Sequence, residues 1–164
     1  MRLRQQPVAA GSATTRLLHG LAAGAAGTTA LNAATFADMV LRARPASTTP
    51  EDSVEQLARR AHVAIPGQGD ARSNRVSGLG SMLGSTAGVA SGGVVGLLLA
   101  KETEAWPTTL IVTTVAALIA GNAPMTLLGV TDPQQWTVTD WISDVVPHVA
   151  YGLVGGAVLR ALRG

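Results

Sequence analysis

Five glycines recur at every fourth residue in a stretch without charged side chains: Gly80, Gly84, Gly88, Gly92 and Gly96. On an α-helix this spacing places all five along one face, which we call the glycine stripe. In water such a helix is poor, because each interior glycine costs about 1 kcal/mol relative to alanine. In a bilayer the backbone must bond to itself, and small residues let another helix approach until the backbones touch. The stripe therefore predicts a tightly packed membrane-spanning helix at 77–100.

The composition is typical of a small integral membrane protein. Of the 164 residues, 47% are hydrophobic and only 13% are charged, and the mean hydropathy is +0.30. This is too few charges for a soluble domain of this size. The net charge is +2 and the arginines are scattered, so nucleic-acid binding is not indicated. The absence of cysteine excludes disulfides, thiolate metal sites and cysteine nucleophiles.

Hydropathy and turn signals predict an all-α fold, namely a four-helix bundle in the membrane. A bilayer core about 30 Å thick needs about 20 residues per helix. We expect a polar leader at 1–16 and a single membrane domain at 17–164. Its spans are predicted at about 17–41, 77–100, 108–130 and 141–162. A cleaved signal peptide is the alternative for the first span, but its apolar part is longer and richer in alanine and glycine than in such peptides.

Two features of the first half of the chain bear on packing. A row of small or polar residues at every fourth position offers a partner surface for the glycine stripe: Gly20, Gly24, Thr28 and Asn32. In the following loop, Thr49 and Pro50 form a helix start, and apolar residues then recur at helical spacing. This pattern predicts a short amphipathic helix at about 50–62, on the bilayer surface or against the end of the bundle.

An even number of spans puts both termini on one side of the membrane. Basic residues do not decide which side, because the side of the termini and the loop after the first span carry equal numbers of them. The loop at 131–140 has no basic residue. We therefore expect cytoplasmic termini in a multi-pass protein of the plasma membrane.

The candidate polar site lies at the last span, where Asp140, Asp144 and His148 follow one another at every fourth position. Ionisable residues at membrane depth are costly and usually face protein or water. Asp144 and His148 can share a proton or form an ion pair, which indicates a proton relay or a polar-ligand site. The alternative, which we favour, is structural. In it Asp140 caps the helix, Asp144 reaches the interface, and His148 bonds a neighbouring helix beside the carbonyl freed by Pro147.

Three further polar residues belong to this candidate site. Asp38 falls on the same side of the membrane as Asp140 and Asp144, so three acids could line one end of the bundle. Oxygen ligands of this kind can bind a divalent cation, but no spacing demands one, and we predict neither a metal nor a cofactor. Asn32 and Asn122, both near mid-span, are expected to form hydrogen bonds between helices.

Enzyme motifs are absent from the sequence. It contains no phosphate-binding loop, zinc-protease motif or nucleophile elbow, and we predict a protein that is not an enzyme. The catalytic alternative is an intramembrane serine hydrolase that pairs Ser81 or Ser143 with His148.

Two stretches resemble known membrane proteins. The loop segment from Ser47-Thr48-Thr49-Pro50 through Ile65-Pro66-Gly67 to Arg75 resembles uncharacterised small multi-pass proteins of actinobacteria. The second stretch is similar in layout to the YagU-like family of inner-membrane proteins of unknown function; its residues are Pro124 to Gly129, Trp141, Asp144, His148 and Tyr151-Gly152. The glycine-stripe helix departs from the more hydrophobic second span of that family. The resemblance implies an integral membrane fold and carries over no activity.

These observations lead to two function hypotheses. The first is a non-enzymatic membrane protein of structural or assembly type that packs, or self-associates, through the glycine stripe. The second is a small transporter or proton-coupled permeation unit that uses Asp144 and His148. The expected partners are the lipid bilayer and either a second copy of the chain or another membrane subunit.

Overall fold

The computed structural model describes residues 11–99 and 105–164, and throughout these residues the regular structure is helical, as predicted. Leader residues 1–10 and the end of the predicted second span at Ala100 lie outside the described residues. The helices of the described part are α1 (Ala13–Arg42), α2 (Thr49–Arg60), α3 (Gly69–Leu98), α4 (Trp106–Leu127) and α5 (Val138–Arg163), with a short 3-10 turn at Pro133–Gln135.

α1 and α3 begin well before the residues at which the hydropathy pattern predicts their starts. α1 starts at Ala13, inside the predicted leader, because the Ser12 hydroxyl accepts a hydrogen bond from the Thr15 amide at 3.1 Å and so caps the helix. α3 starts at Gly69, well before the apolar run. The charged segment at 70–75 forms the first turns of α3 and precedes its apolar part. The helix is therefore longer than the portion that could lie in a membrane.

α1 lies between two of the apolar helices. It packs against both α3 and α5, α4 packs against α5 and α3, and α2 packs against α3. The residue pairs in contact show that α1 runs antiparallel to α3 and to α5. Each of the four long helices therefore has two long neighbours, and the contacts of α1 with α3 and α5 are the most extensive.

The contact between α1 and α3 is made backbone to backbone. Three successive rungs join the helices: Gly20 with Gly96, Gly24 with Gly92, and Thr28 with Gly88. A Cβ atom added at Gly92 would lie 2.5 Å from the Gly20 carbonyl oxygen, and one added at Gly96 would lie 2.7 Å from the Gly20 Cα. Both distances are far inside van der Waals contact, so a side chain at either position would force the helices apart.

The other two glycines of the stripe have different surroundings. Gly80 faces α2, where an added Cβ would lie 3.0 Å from the carbonyl carbon of Pro50. Gly84 has no atom within 4 Å of a Cβ position. Within the chain, the packing surface of the glycine stripe is therefore interrupted at Gly84, beyond the last contact of α1 with α3 at Gly88.

Tyr151 of α5 covers the place where α1 and α3 meet. Its side chain is 0% exposed, and its ring occupies the space left by Gly27, where an added Cβ would lie 2.7 Å from the ring. Its hydroxyl donates a hydrogen bond of 2.7 Å to the carbonyl oxygen of Gly88. The glycine thus makes room for the ring, and the hydrogen bond satisfies the buried hydroxyl.

Three helices of the described part, α3, α4 and α5, are long and apolar enough to cross a membrane. Their outer surfaces carry exposed apolar side chains, as on α4, where Ile111, Val115 and Ile119 share one face. Such a face suits a helix in contact with lipid. α1 has 30 residues but is not among these three helices, so the fourth predicted span stays a prediction.

Substitution of Gly92 by alanine tests the backbone contact. Gly92→Ala should lower the melting temperature in detergent, because the new methyl group would overlap the backbone of α1. Gly84→Ala on the same helix is the matched control. That site is open, and alanine favours a helix over glycine by about 1 kcal/mol, so the melting temperature should hold or rise. Equal melting temperatures of the two variants, measured by helical circular dichroism, would contradict the packing.

Candidate functional site

The candidate polar site lies where α4 and α5 pack together. The Asn122 side-chain amide of α4 donates a hydrogen bond of 2.8 Å to Oδ2 of Asp144 on α5. The His148 side chain, one turn further along α5, has its Nδ1 3.5 Å from Oδ1 of Asp144. The side chains of Asp144 and His148 are 19% and 12% exposed. Carboxylate, imidazole and amide therefore form one partly buried group between two helices.

A backbone hydrogen bond orients the imidazole of His148. Its Nδ1 lies 2.7 Å from the carbonyl oxygen of Asp144, and since a carbonyl only accepts, Nδ1 carries the proton. In the neutral ring Nε2 is then an acceptor. Nε2 points to α4 beside Gly121, where an added Cβ would lie 3.3 Å away. The ring thus presents Nε2 to α4 while its Nδ1 is held by α5.

A cluster of opposite charges at the end of α1 adjoins this site. Asp38 accepts hydrogen bonds from Arg42 Nε at 2.6 Å and from Arg44 Nε at 2.5 Å. Arg42 also donates from Nη2 to the hydroxyl of Ser143 on α5, the residue before Asp144. The structure therefore brings Asp38 to the predicted end of the helices, but in an ion pair with two arginines and not in direct contact with Asp144.

Asp140 and Asn32 lie apart from the Asp144–His148 pair. Asp140 forms a reciprocal capping box with Thr137: its Oδ2 accepts from the Thr137 amide at 2.9 Å and from the Thr137 hydroxyl at 2.7 Å. The predicted capping role of Asp140 is thus present, although the N-cap residue itself is Thr137 and Asp140 is the third residue of the helix. Asn32 is exposed on α1, whereas Asn122 makes the hydrogen bond between helices that was expected of both.

The arrangement limits the chemistry that these residues can perform. In residues 11–99 and 105–164, no group of three or more His, Cys, Asp or Glu side chains is placed to hold a metal ion. Ser143 donates its hydroxyl to the carbonyl of Thr139 at 2.7 Å, and the Nδ1 of His148 bonds to Asp144. The geometry therefore does not favour the serine-hydrolase alternative with Ser143. It suits a carboxylate and an imidazole that exchange a proton.

Sequence reasoning missed two side chains that join α1 to α5, one beside the site and one away from it. Arg42 joins α1 to α5 through Ser143, and the one signal for it was the helical spacing of Asp38 and Arg42, which predicts an ion pair but not its third partner. Tyr151 entered only through the family resemblance. A lone tyrosine in an apolar helix gives no sign of which glycine makes room for its ring.

A second polar feature is an open cleft of about 530 Å³ that lies between α2 and α3. Arg72 donates to Glu55 at 2.7 Å, and Ser77 donates to Glu51 at 3.0 Å. The hydrogen bond from Arg72 holds the pKa of Glu55 below its usual range. The second carboxylate oxygen of Glu51 is buried and has no hydrogen-bond partner in the described structure.

Comparison with known proteins identifies no relative. No protein-family model matches the chain, and no curated protein or solved structure matches it at a significant level. The resemblance to the YagU-like family therefore stays a prediction.

The hydrogen bond between Asn122 and Asp144 can be tested by a double-mutant cycle. Asn122→Ala should destabilise the protein by about 1–3 kcal/mol, since it leaves a partly buried carboxylate without its donor. Asp144→Ala added to that variant should cost less than it does alone. Thr126→Ala is the control, because this exposed hydroxyl bonds only to a carbonyl of its own helix. Unfolding in mixed detergent measures all four, and strictly additive costs would contradict the contact.

Proposed function

We propose that this protein is a non-enzymatic integral membrane protein of structural or assembly type, in which α1, α3, α4 and α5 form a four-helix membrane bundle. The observation that carries the proposal is the backbone contact of α1 with α3, together with the seating of Tyr151 against Gly27. Contacts this close hold a helix in place without large apolar side chains, which is how helices associate within lipid.

The position of α1 supports its membrane depth despite its modest hydropathy. Near its start, the carbonyl of Arg16 touches Gly96 of α3, and near its end Arg42 bonds to Ser143 of α5. α3 and α5 are apolar enough to span a bilayer. α1 follows α3 as far as Gly88 and reaches along α5 to Ser143. Its small residues are then buried against its neighbours. A helix surrounded by other helices in this way needs few large apolar side chains to lie within a bilayer.

The same contacts restrict how the chain would self-associate. Gly88, Gly92 and Gly96 are covered by α1 within one chain, so a second copy or another membrane subunit would need to bind elsewhere. The lipid bilayer of the plasma membrane is the partner that the exposed apolar faces favour. Cytoplasmic termini remain part of the proposal.

Cysteine labelling can test the topology without labelling of native residues, because the chain has no cysteine. Gly11→Cys and Ser47→Cys, both at exposed positions at opposite ends of α1, should react with a membrane-impermeant maleimide from opposite sides of sealed vesicles. In spheroplasts, the first should be labelled only after permeabilisation. Labelling of both variants from the same side would overturn the four-span proposal.

A second candidate function is proton permeation, and the contact of Asp144 with both His148 and Asn122 favours it. A carboxylate and an imidazole 3.5 Å apart can pass a proton between them, and the Nε2 atom of His148 faces the neighbouring helix. The site lies in the half of α5 that also bonds to Arg42, so a charged residue connects it to the end of the helices.

Purified protein in liposomes distinguishes the two candidates. If the pair conducts protons, the wild-type protein should dissipate an imposed pH gradient, and Asp144→Asn with His148→Gln should abolish this flux. Asp70→Asn, an exposed acid at the start of α3, is the control and should leave the flux unchanged. Wild-type liposomes no leakier than empty ones would refute permeation and leave the structural role.

A further inference from the structure

The rungs between α1 and α3 stop before the sequence pattern does. Each rung moves four residues forward on α1 and four back on α3, and the last one in contact is Thr28 with Gly88. The next rung would pair Asn32 with Gly84, yet Asn32 is exposed and Gly84 has an open Cβ position. The α3 residues 81–86 are exposed on every side of the helix. A gap thus separates the two helices where their small and polar residues would continue to match.

α2 occupies the position that a further rung would need. After Asn32 with Gly84, the next pair in this register is Phe36 with Gly80. Gly80 is instead covered by the first turn of α2, with an added Cβ 3.0 Å from the carbonyl carbon of Pro50 and 3.1 Å from its Cβ. Phe36 is 60% exposed. α2 and the second half of α1 therefore compete for the same face of α3.

α2 is joined to α3 by two side-chain hydrogen bonds, from Arg72 to Glu55 and from Ser77 to Glu51, and its docking carries a cost. The ion pair of Arg72 with Glu55 is 42% and 31% exposed, and such pairs contribute little. One carboxylate oxygen of Glu51 is buried without a partner, which is unfavourable. Ala43 and His62, which flank α2, have φ angles of 51° and 56°, a left-handed conformation that costs energy for residues other than glycine.

We propose that α2 is a wedge that holds α1 and α3 apart, and that its release lets these helices close by the rungs Asn32–Gly84 and Phe36–Gly80. The glycine face of α3 then has two alternative packings: in one α2 covers Gly80, and in the other α1 covers it. Such a pair of discrete packings is typical of a two-state element. Closure would also draw Arg42 away from Ser143. The release of α2 would therefore change the surroundings of the neighbouring Asp144.

Disulfide trapping in proteoliposomes tests this wedge. Thr28→Cys with Gly88→Cys, which are already in contact, should cross-link within the chain and sets the reference rate. Asn32→Cys with Gly84→Cys should cross-link more slowly, and Arg72→Gln, which removes the ion pair to α2, should accelerate it several-fold. Asn32→Cys with Met82→Cys, on another face of α3, should not respond to Arg72→Gln.

Two outcomes of this experiment would overturn the proposal. One is a cross-linking rate of the Asn32–Gly84 pair that Arg72→Gln leaves unchanged. The other is a disulfide that forms between chains, which would place a second copy in the gap. A second readout uses spin labels on Leu41→Cys and Gly78→Cys, both at exposed positions. These substitutions leave the residues that line the gap unchanged. The distance distribution of the two labels should gain a shorter component in Arg72→Gln, and an unchanged distribution would also refute the wedge.

Discussion

The direct contact between the backbones of α1 and α3 is the constraint on which the rest of the structure depends. Glycine at Gly20, Gly24 and Gly92 removes the side chains that would keep the helix axes apart. Close approach in turn lets Tyr151 of α5 lie against Gly27 of α1 while its hydroxyl bonds to the carbonyl of Gly88 on α3. A single larger residue at one of these positions would therefore disturb both contacts of α1.

The glycines also leave backbone carbonyls open to a second donor. The Tyr151 hydroxyl bonds to the carbonyl of Gly88, and the Arg163 guanidinium bonds to that of Gly96, each at 2.7 Å. Both carbonyls belong to the interior of α3, where a larger side chain would hinder such access. Two polar groups of α5 thereby find partners on an otherwise apolar helix, which lowers the cost of placing them there.

The sequence predicts which faces of α1 and α3 meet better than it predicts the extent of their contact. Repeats of four place Gly24 and Thr28 on one face of α1, and Gly88 and Gly92 on one face of α3, because a helical period determines which residues share a face; which residues pair across the contact comes from the structure. The point of divergence depends on where α2 and α5 hold their neighbours, which no local pattern encodes. The sequence predicts that Asn122 bonds between helices but not that Asp144 is its partner, and the reach of Arg42 to Ser143 requires the distance between α1 and α5.

The charges at the neighbouring ends of α1 and α5 link the packing of these helices to their electrostatics. Asp38, Asp140 and Asp144 supply three carboxylates, while Arg42 and Arg44 supply two guanidinium groups. Arg42 bonds to Asp38 and to Ser143 and lies within electrostatic reach of Asp140. In a medium of low dielectric constant the attraction between opposite charges is stronger than in water, so Arg42 contributes to holding α1 against α5.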